Sequence, residues 1–279
     1  MPTIITVDDP GDPRIEAYRD IRERDLVGRD GLFVAEGKVV LEKLVDSIVF
    51  RPLSLLVAAK RLPALAPLLA RLADDVPVFA AGQPVMDAVA GFPLHRGILA
   101  IGRRPERPTA DTLLAGLRGD ADVLLLSAIA NHDNMGGIFR NAAAFGIRAV
   151  LLDADCCDPL YRKAIRVSVG AALLVPFARI GRGEDPLALL ERHDFAPVAL
   201  SPAGALPLSA FRPEPRNAVL LGAEGPGLSP DLLGRATSVR IAMADGFDSL
   251  NVATTSGIVA HHLATGRAPS RGADHHQVA

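Results

Sequence analysis

The stretch Leu220-Leu221-Gly222-Ala223-Glu224-Gly225-Pro226-Gly227-Leu228 decides how the second half of this 279-residue chain is read. It starts as an apolar strand, predicted over 218–221, and ends in a loop holding three glycines, one proline and a single acid. Glycine lets backbone approach a flat ligand closely, and proline stiffens the turn. A triphosphate loop would carry Gly-Lys-Ser or Gly-Lys-Thr, and a dinucleotide loop G-x-G-x-x-G. Neither pattern is present, which counts against both ligand classes. Open α/β sheets bind ligands where their strands end, and this loop sits at such an end.

Two further segments share the design. Upstream, the apolar run 123–130 fits a buried strand and leads into Asn131-His132-Asp133-Asn134-Met135-Gly136-Gly137-Ile138-Phe139-Arg140-Asn141-Ala142. A helix is predicted over 134–145. Gly136 and Gly137 weaken its first turn, so close approach of a partner or substrate backbone is expected to offset the cost. Arg140 follows Asn134 by six residues, roughly two turns. Downstream, a strand at 239–242 runs through Ile241-Ala242-Met243-Ala244-Asp245-Gly246-Phe247-Asp248 to Ser249-Leu250-Asn251. These open a closing helix predicted over 250–264. Ser249 is the candidate cap of that helix. Asn251 either lines a site or bonds local backbone. The small residues from Val252 to Gly257 allow tight helix packing.

Between and before these segments the chain alternates. Strands at 149–152, 173–176 and 197–200 alternate with helices at 160–169, 186–192 and 230–236, the last opened by Ser229 and Pro230. That order predicts a mostly parallel sheet. The first hundred residues alternate too, with helices at 14–27, 38–45, 62–72 and 84–90 and strands at 32–34, 53–57, 76–80 and 97–101. The expected organisation is a small α/β unit (1–101), a linker rich in Gly, Arg and Pro with a short helix at 113–117 (102–121), a second α/β unit (122–265), and a polar, disordered tail (266–279).

Composition agrees with covered parallel strands. Hydrophobic residues are 49% of the chain, yet aromatics are 4% and Trp is absent, so the core must be aliphatic. The net charge of −2 neither supports nor excludes nucleic-acid binding, although arginines suit phosphate contacts. No apolar run has bilayer length, and Asp8, Asp9 and Asp12 stand where a secretory signal would be basic and then apolar, so a cytoplasmic protein without a membrane partner is expected. The adjacent Cys156 and Cys157 suit neither a structural disulfide nor zinc; reduced thiols and no metal are expected.

Together the three segments resemble the SpoU/TrmH family of the SPOUT class of RNA methyltransferases. The match runs through Asn134, Gly136 and Arg140, then Leu221 to Leu228, then Ile241, Met243 and Ser249 to Val252. More loosely, residues 22–44, with Phe33-Val34-Ala35-Glu36-Gly37, resemble the family's small N-terminal substrate-binding domain of L30e-like, ribosomal-protein-like α/β fold. The resemblance implies a C-terminal α/β domain with a trefoil knot in its backbone, a rare exception to unknotted connectivity. It implies a homodimer acting on rRNA or tRNA, with S-adenosylmethionine as methyl donor and a ribose 2′-hydroxyl as acceptor. By motif position, Gly222, Ile241 and Leu250 would contact the cofactor largely through backbone, and Leu200, at the end of the preceding strand, is added to them. Asn134, Arg140, Glu224, Ser249 and Asn251 would line the site of transfer, with Arg140 reaching toward a site shared with the other subunit.

Because guanidinium keeps its charge, Arg140 is expected to stabilise a developing alkoxide and a neighbouring phosphate rather than take the proton. Glu224 is expected to orient Asn134 or Arg140. Other clusters read less sharply. His132-Asp133 has no accompanying nucleophile motif, and His261-His262 point different ways on a helix. Arg162, Lys163 and Arg166 are either a solvated face or an RNA-contacting patch. Arg14, Arg19, Arg22, Arg24 and Arg29 alternate with acids. Two other activities remain open: methylation of a base nitrogen in RNA, and RNA binding without catalysis. A small-molecule methyltransferase would place its glycine loop after the first strand of the domain, whereas here it comes late.

Overall fold

The computed structural model describes residues 2–19, 31–91, 93–106 and 108–266. Two sheets organise it. The first contains β1 (Ile4–Val7), β2 (Leu32–Glu36), β3 (Arg51–Ala58), β4 (Val78–Ala81) and β5 (Ile98–Arg103), in the order β1-β4-β3-β5-β2. β1, β4 and β3 are parallel; β5 runs antiparallel to β3 and β2. Helices α1 (Lys38–Asp46), α2 (Leu62–Leu69) and α3 (Gln83–Ala90) belong to this half.

After α4 (Ala110–Ala115) comes the second sheet, β6 (Ala121–Ser127), β7 (Ala149–Leu152), β8 (Phe177–Arg179), β9 (Ala196–Leu200), β10 (Leu206–Pro207), β11 (Arg216–Gly222) and β12 (Thr237–Arg240). Its order is β10-β12-β9-β11-β6-β7-β8, and each described pairing is parallel, as the alternation predicts. The helices of this half are α5 (His132–Ala144), α6 (Arg162–Val167), α7 (Pro186–Arg192), α8 (Pro230–Gly234) and α9 (Val252–Gly266). Residues 123–126 of β6 are a continuous apolar run because both faces are covered. Leu124 and Leu126 join Ile138, Phe139 and Leu263 on one face; Val123 and Leu125 join Leu187, Leu190 and Leu232 on the other.

Several expectations shift. The strand predicted at 173–176 is displaced: Gly170 takes φ +81°, Ala171–Leu173 tighten into a 3-10 turn, and β8 begins only after Pro176. Proline has no N–H for a ladder, so the strand starts behind it. At 14–27, Pro13–Tyr18 form a 3-10 helix that ends at an extended Arg19; the remainder, with Arg22, Arg24 and Arg29, lies outside the described residues. The closing helix reaches Gly266, and 267–279 also lie outside them. β5 extends to Arg103, two residues into the stretch read as a linker, and the helix there is α4, capped by Thr109 accepting from Thr112 N–H at 3.1 Å. Among the described residues no helix is long and apolar enough to cross a membrane.

The two halves meet along α6. Arg162 Nη2 lies 2.7 Å from Glu36 Oε2, with side-chain exposures of 14% and 8%, and Arg104 pairs with Asp158 at 2.8 Å. Removing one member of a buried pair strands the other charge at a cost of about 3 kcal/mol, the lower end of the usual range because Arg162 keeps some solvent. Glu36→Ala should therefore lower the urea midpoint by that equivalent, and adding Arg162→Met should recover most of the loss.

Candidate active site

Strand order builds the site. β12, β9, β11 and β6 are parallel neighbours, so the loops leaving their carboxyl ends lie side by side. Register aligns them closely: Gly222 stands opposite Ser127, and Leu200 opposite Val239. One crevice of about 200 Å³ results, lined by Leu200, Gly222, Ile241 and Leu250 together with Met243, Ser249 and Glu224. The four residues expected to face a cofactor thus surround one space.

Glycine geometry explains the narrow floor. A Cβ on Gly222 would sit 2.4 Å from the Gly227 carbonyl carbon and 2.5 Å from Leu228 N, both rigid backbone atoms. Gly227 N–H donates to Ala223 O at 3.1 Å and closes the loop, while Gly225 and Gly227 adopt φ +90° and +68°, a region that favours glycine.

Three side chains form a closed polar triangle at the rim. Asn134 Nδ2 donates to Glu224 Oε1 at 2.8 Å. Asn251 Nδ2 donates to Asn134 Oδ1 at 2.8 Å and to Glu224 Oε1 at 3.0 Å. Each residue comes from a different motif, so the triangle ties β6, β11 and β12 loops together. Glu224 orients Asn134, one of the two options its position left open. Of the two readings left open for Asn251, the local-backbone one holds: its Oδ1 accepts from Ala253 N–H at 2.9 Å and Thr254 N–H at 3.2 Å, the bonds of a helix cap. Ser249 is therefore not the cap. Its Oγ approaches Asp248 Oδ1 at 3.4 Å, and it lines the crevice instead.

Gly136 and Gly137 receive a different explanation from the expected one. A Cβ on Gly136 would lie 2.7 Å from Val167 Cβ, and on Gly137 2.7 Å from Ala253 Cβ. The close approach is of α6 and α9 in the same chain, not of substrate. The helix itself opens two residues earlier than predicted, at His132, because Asn131 caps it by accepting from Asp133 N–H at 2.7 Å.

Arg140 stands apart. It is exposed, outside the crevice, and without a side-chain partner among the described residues. At 100° per residue it lies 60° around the helix from Gly137, on the flank of the α5–α9 contact. His132 stacks on Tyr161 with ring centroids 4.1 Å apart, and Asp133 pairs with Lys163 at 2.6 Å, so that pair has structural partners. His261 packs on Phe145 while His262 Nε2 meets Phe211 O at 3.0 Å, pointing apart. Reading the sequence missed Ser201, Pro202 and Thr255 in the lining. The signal was the Ser201-Pro202-Ala203-Gly204 turn behind β9, where a Cβ on Gly204 would press within 2.4 Å of the Val239 carbonyl carbon.

A crevice beside a fixed amide–carboxylate triangle, at the carboxyl ends of parallel strands, is where a sheet of this class binds a small ligand. Comparison narrows this. The model of the SpoU rRNA Methylase family matches residues 122–261. A Mycobacterium tuberculosis (strain H37Rv) protein named as an uncharacterized tRNA/rRNA methyltransferase is 40% identical over 280 residues, 92% of this chain and 93% of the relative. The 23S rRNA (guanosine-2′-O-)-methyltransferase RlmB of Acinetobacter baylyi is 30% identical over 64% of this chain and 74% of its own. Among solved structures, the AdoMet-bound rRNA methyltransferase from Sinorhizobium meliloti superposes with a TM-score of 0.78 at 21% identity, over 93% of this chain and 97% of that one. An RNA 2′-O ribose methyltransferase superposes at 0.77 and 24% identity, over 93% and 98%. This chain belongs to the SpoU rRNA methylase family.

The cap and triangle give a direct check. Asn251→Ala should cost about 1 kcal/mol from the lost cap, read as a urea midpoint shift, whereas Asn251→Ser should retain most of it because a hydroxyl still caps.

Proposed function

We propose that this protein transfers a methyl group from S-adenosylmethionine to a ribose 2′-hydroxyl of rRNA or tRNA. The carrying observation is the joining of Leu200, Gly222, Ile241 and Leu250 into one crevice whose rim is the Asn134–Glu224–Asn251 triangle. The bare Gly222 lets the Gly227–Leu228 backbone fold against it, which holds the loop that lines the crevice in the shape seen here. When bound, the donor supplies a methyl group already activated on a sulfonium.

The protein's share is then alignment, which can supply roughly 7–11 kcal/mol in good geometry. Glu224 and Asn251 hold Asn134 in a single orientation at the rim, and Ser249 faces the same space. A guanidinium acts as a cationic hydrogen-bond donor rather than a base, so Arg140 stabilises negative charge developing on the 2′-oxygen and on an adjacent phosphate. The proton leaves to a phosphate oxygen or water.

Arg140 lies outside the crevice of its own chain, which supports a homodimer in which it serves a site shared with the second copy. Ile258 on α9 is also left exposed, at 38%, on the neighbouring helix. We propose further that the backbone of residues 122–265 is knotted, in keeping with β11 lying between β9 and β6, and that residues 1–101 form the RNA-binding domain and the protein acts in the cytoplasm. The RlmB relatives act on 23S rRNA by name, which makes ribosomal RNA the first substrate to try.

A ribose methyl removes the hydroxyl that attacks the neighbouring phosphodiester in alkali. RNA incubated with the protein and methyl-labelled S-adenosylmethionine should yield an alkali-resistant dinucleotide carrying the label, while label released on a mononucleotide points to a base nitrogen. Gly222→Ala should weaken donor binding in calorimetry more than tenfold. Arg140→Ala should leave donor binding and thermal stability intact but lower the single-turnover rate by about a hundredfold, the scale of losing one charge-stabilising donor.

A further inference from the structure

A second cavity, of about 370 Å³, lies where the two halves meet, and its lining is basic. Lys38 opens α1, Arg61 precedes α2, Arg96 lies in the turn before β5, and Arg166 closes α6; all four line it. The one acid in the lining, Glu36, is already engaged by Arg162. Arg61, Arg96 and Arg166 are exposed and have no side-chain hydrogen-bond or ion-pair partner among the described residues. Lys38 reaches Glu42 at 3.7 Å across an exposed helix turn.

Gly37 shapes one wall. It adopts φ +92°, and an added Cβ would meet Arg96 Cδ at 3.1 Å and Nη1 at 3.2 Å, so the arginine lies across its α-carbon. Having no side chain, Gly37 leaves the first turn of α1 without a side-chain cap, and Val39 and Val40 of that turn line the same cavity. Like charges gathered around a concave space repel one another, and four cations share this lining with a single carboxylate, itself held by Arg162. A ligand with several anionic oxygens would, and guanidinium is the side chain best matched to phosphate.

The position joins this cavity to the methylation site. α6 is six residues, about 9 Å long. Arg166 stands at its far end, and Tyr161, just before its start, stacks on His132 at the head of the helix that carries Asn134. We propose that the Lys38–Arg61–Arg96–Arg166 cavity grips backbone phosphates of the RNA substrate, next to the strand that enters the active site. This rests on the RNA-methylating reading above. Such contacts fix the register of the RNA and are blind to its sequence. Arg166 is then the RNA-contacting member of the Arg162, Lys163, Arg166 group, while the other two hold Glu36 and Asp133.

The test is fluorescence anisotropy of the full chain with a labelled RNA hairpin across a salt series, comparing it with the triple variant Arg61→Gln, Arg96→Gln, Arg166→Gln. Affinity should fall at least tenfold, and the slope of log K against log salt should flatten by about two, at ~0.7 per phosphate. A control triple variant, Arg118→Gln, Arg148→Gln, Arg192→Gln, removes the same charge at the amino ends of β6, β7 and β9 and should leave the slope unchanged. Arg166→Gln alone serves if the triple variant unfolds, with a slope change of roughly one third as much. An unchanged slope and affinity, or an equal loss in the control, overturns the proposal. Methyl transfer from S-adenosylmethionine to protein-free ribosomal RNA by the unaltered protein is a separate readout. Its failure would count against the active-site reading while the anisotropy comparison still decides the cavity.

Discussion

The account depends on one constraint: β11 occupies the space between β9 and β6, hydrogen-bonded in parallel to both. A strand so placed has no free edge and no polar face, which is why residues 218–221 are fully apolar and buried. It also ends where its neighbours end. The glycine-rich loop that follows therefore cannot spread sideways and folds back on itself, bringing Gly227 and Leu228 against Gly222. The site takes its form from that confinement: a glycine loop folded on itself, walls from the loops after β9 and β12, and one carboxylate, Glu224, at the rim.

The rim is held by exchange of hydrogen bonds rather than by ion pairs. Glu224 Oε1 accepts from two amides, and one of those amides also caps α9. A side chain that serves a cap and a site at once couples helix packing to site geometry. The same economy appears at Gly136 and Gly137, whose missing side chains let α6 and α9 close on α5. These helices place Asn134 without requiring any substrate to be present.

Much of the fold was legible because its signals are local. Residues 149–152 and 186–192 were read with the boundaries the structure gives, since short apolar runs and a proline-opened helix carry their own punctuation. β1 and β10 escaped notice: one is four residues at an edge, the other two residues containing a proline, and neither has a periodic pattern long enough to read. The gathering of Gly222, Ile241 and Leu250 was legible through the ordered motifs and not through composition, and Leu200 only from its place at the end of a predicted strand. What could not be read was non-local. Whether Ser249 or Asn251 caps the last helix depends on where the chain turns. Whether Gly136 meets a substrate or α6 depends on packing across 28 to 31 residues of sequence, from Gly136 to Ala164 and Val167. The basic cavity draws Lys38, Arg61, Arg96 and Arg166 from positions that no sequence window joins.

The central claim is that the loops after β9, β11 and β12 form a single seat for the methyl donor. A crystal structure of the protein soaked with S-adenosylmethionine tests it most directly. The account predicts donor density enclosed by Leu200, Gly222, Ile241 and Leu250, with its methyl directed toward the Asn134–Glu224–Asn251 rim. Density elsewhere on the sheet, or an empty crevice at saturating donor, would contradict it.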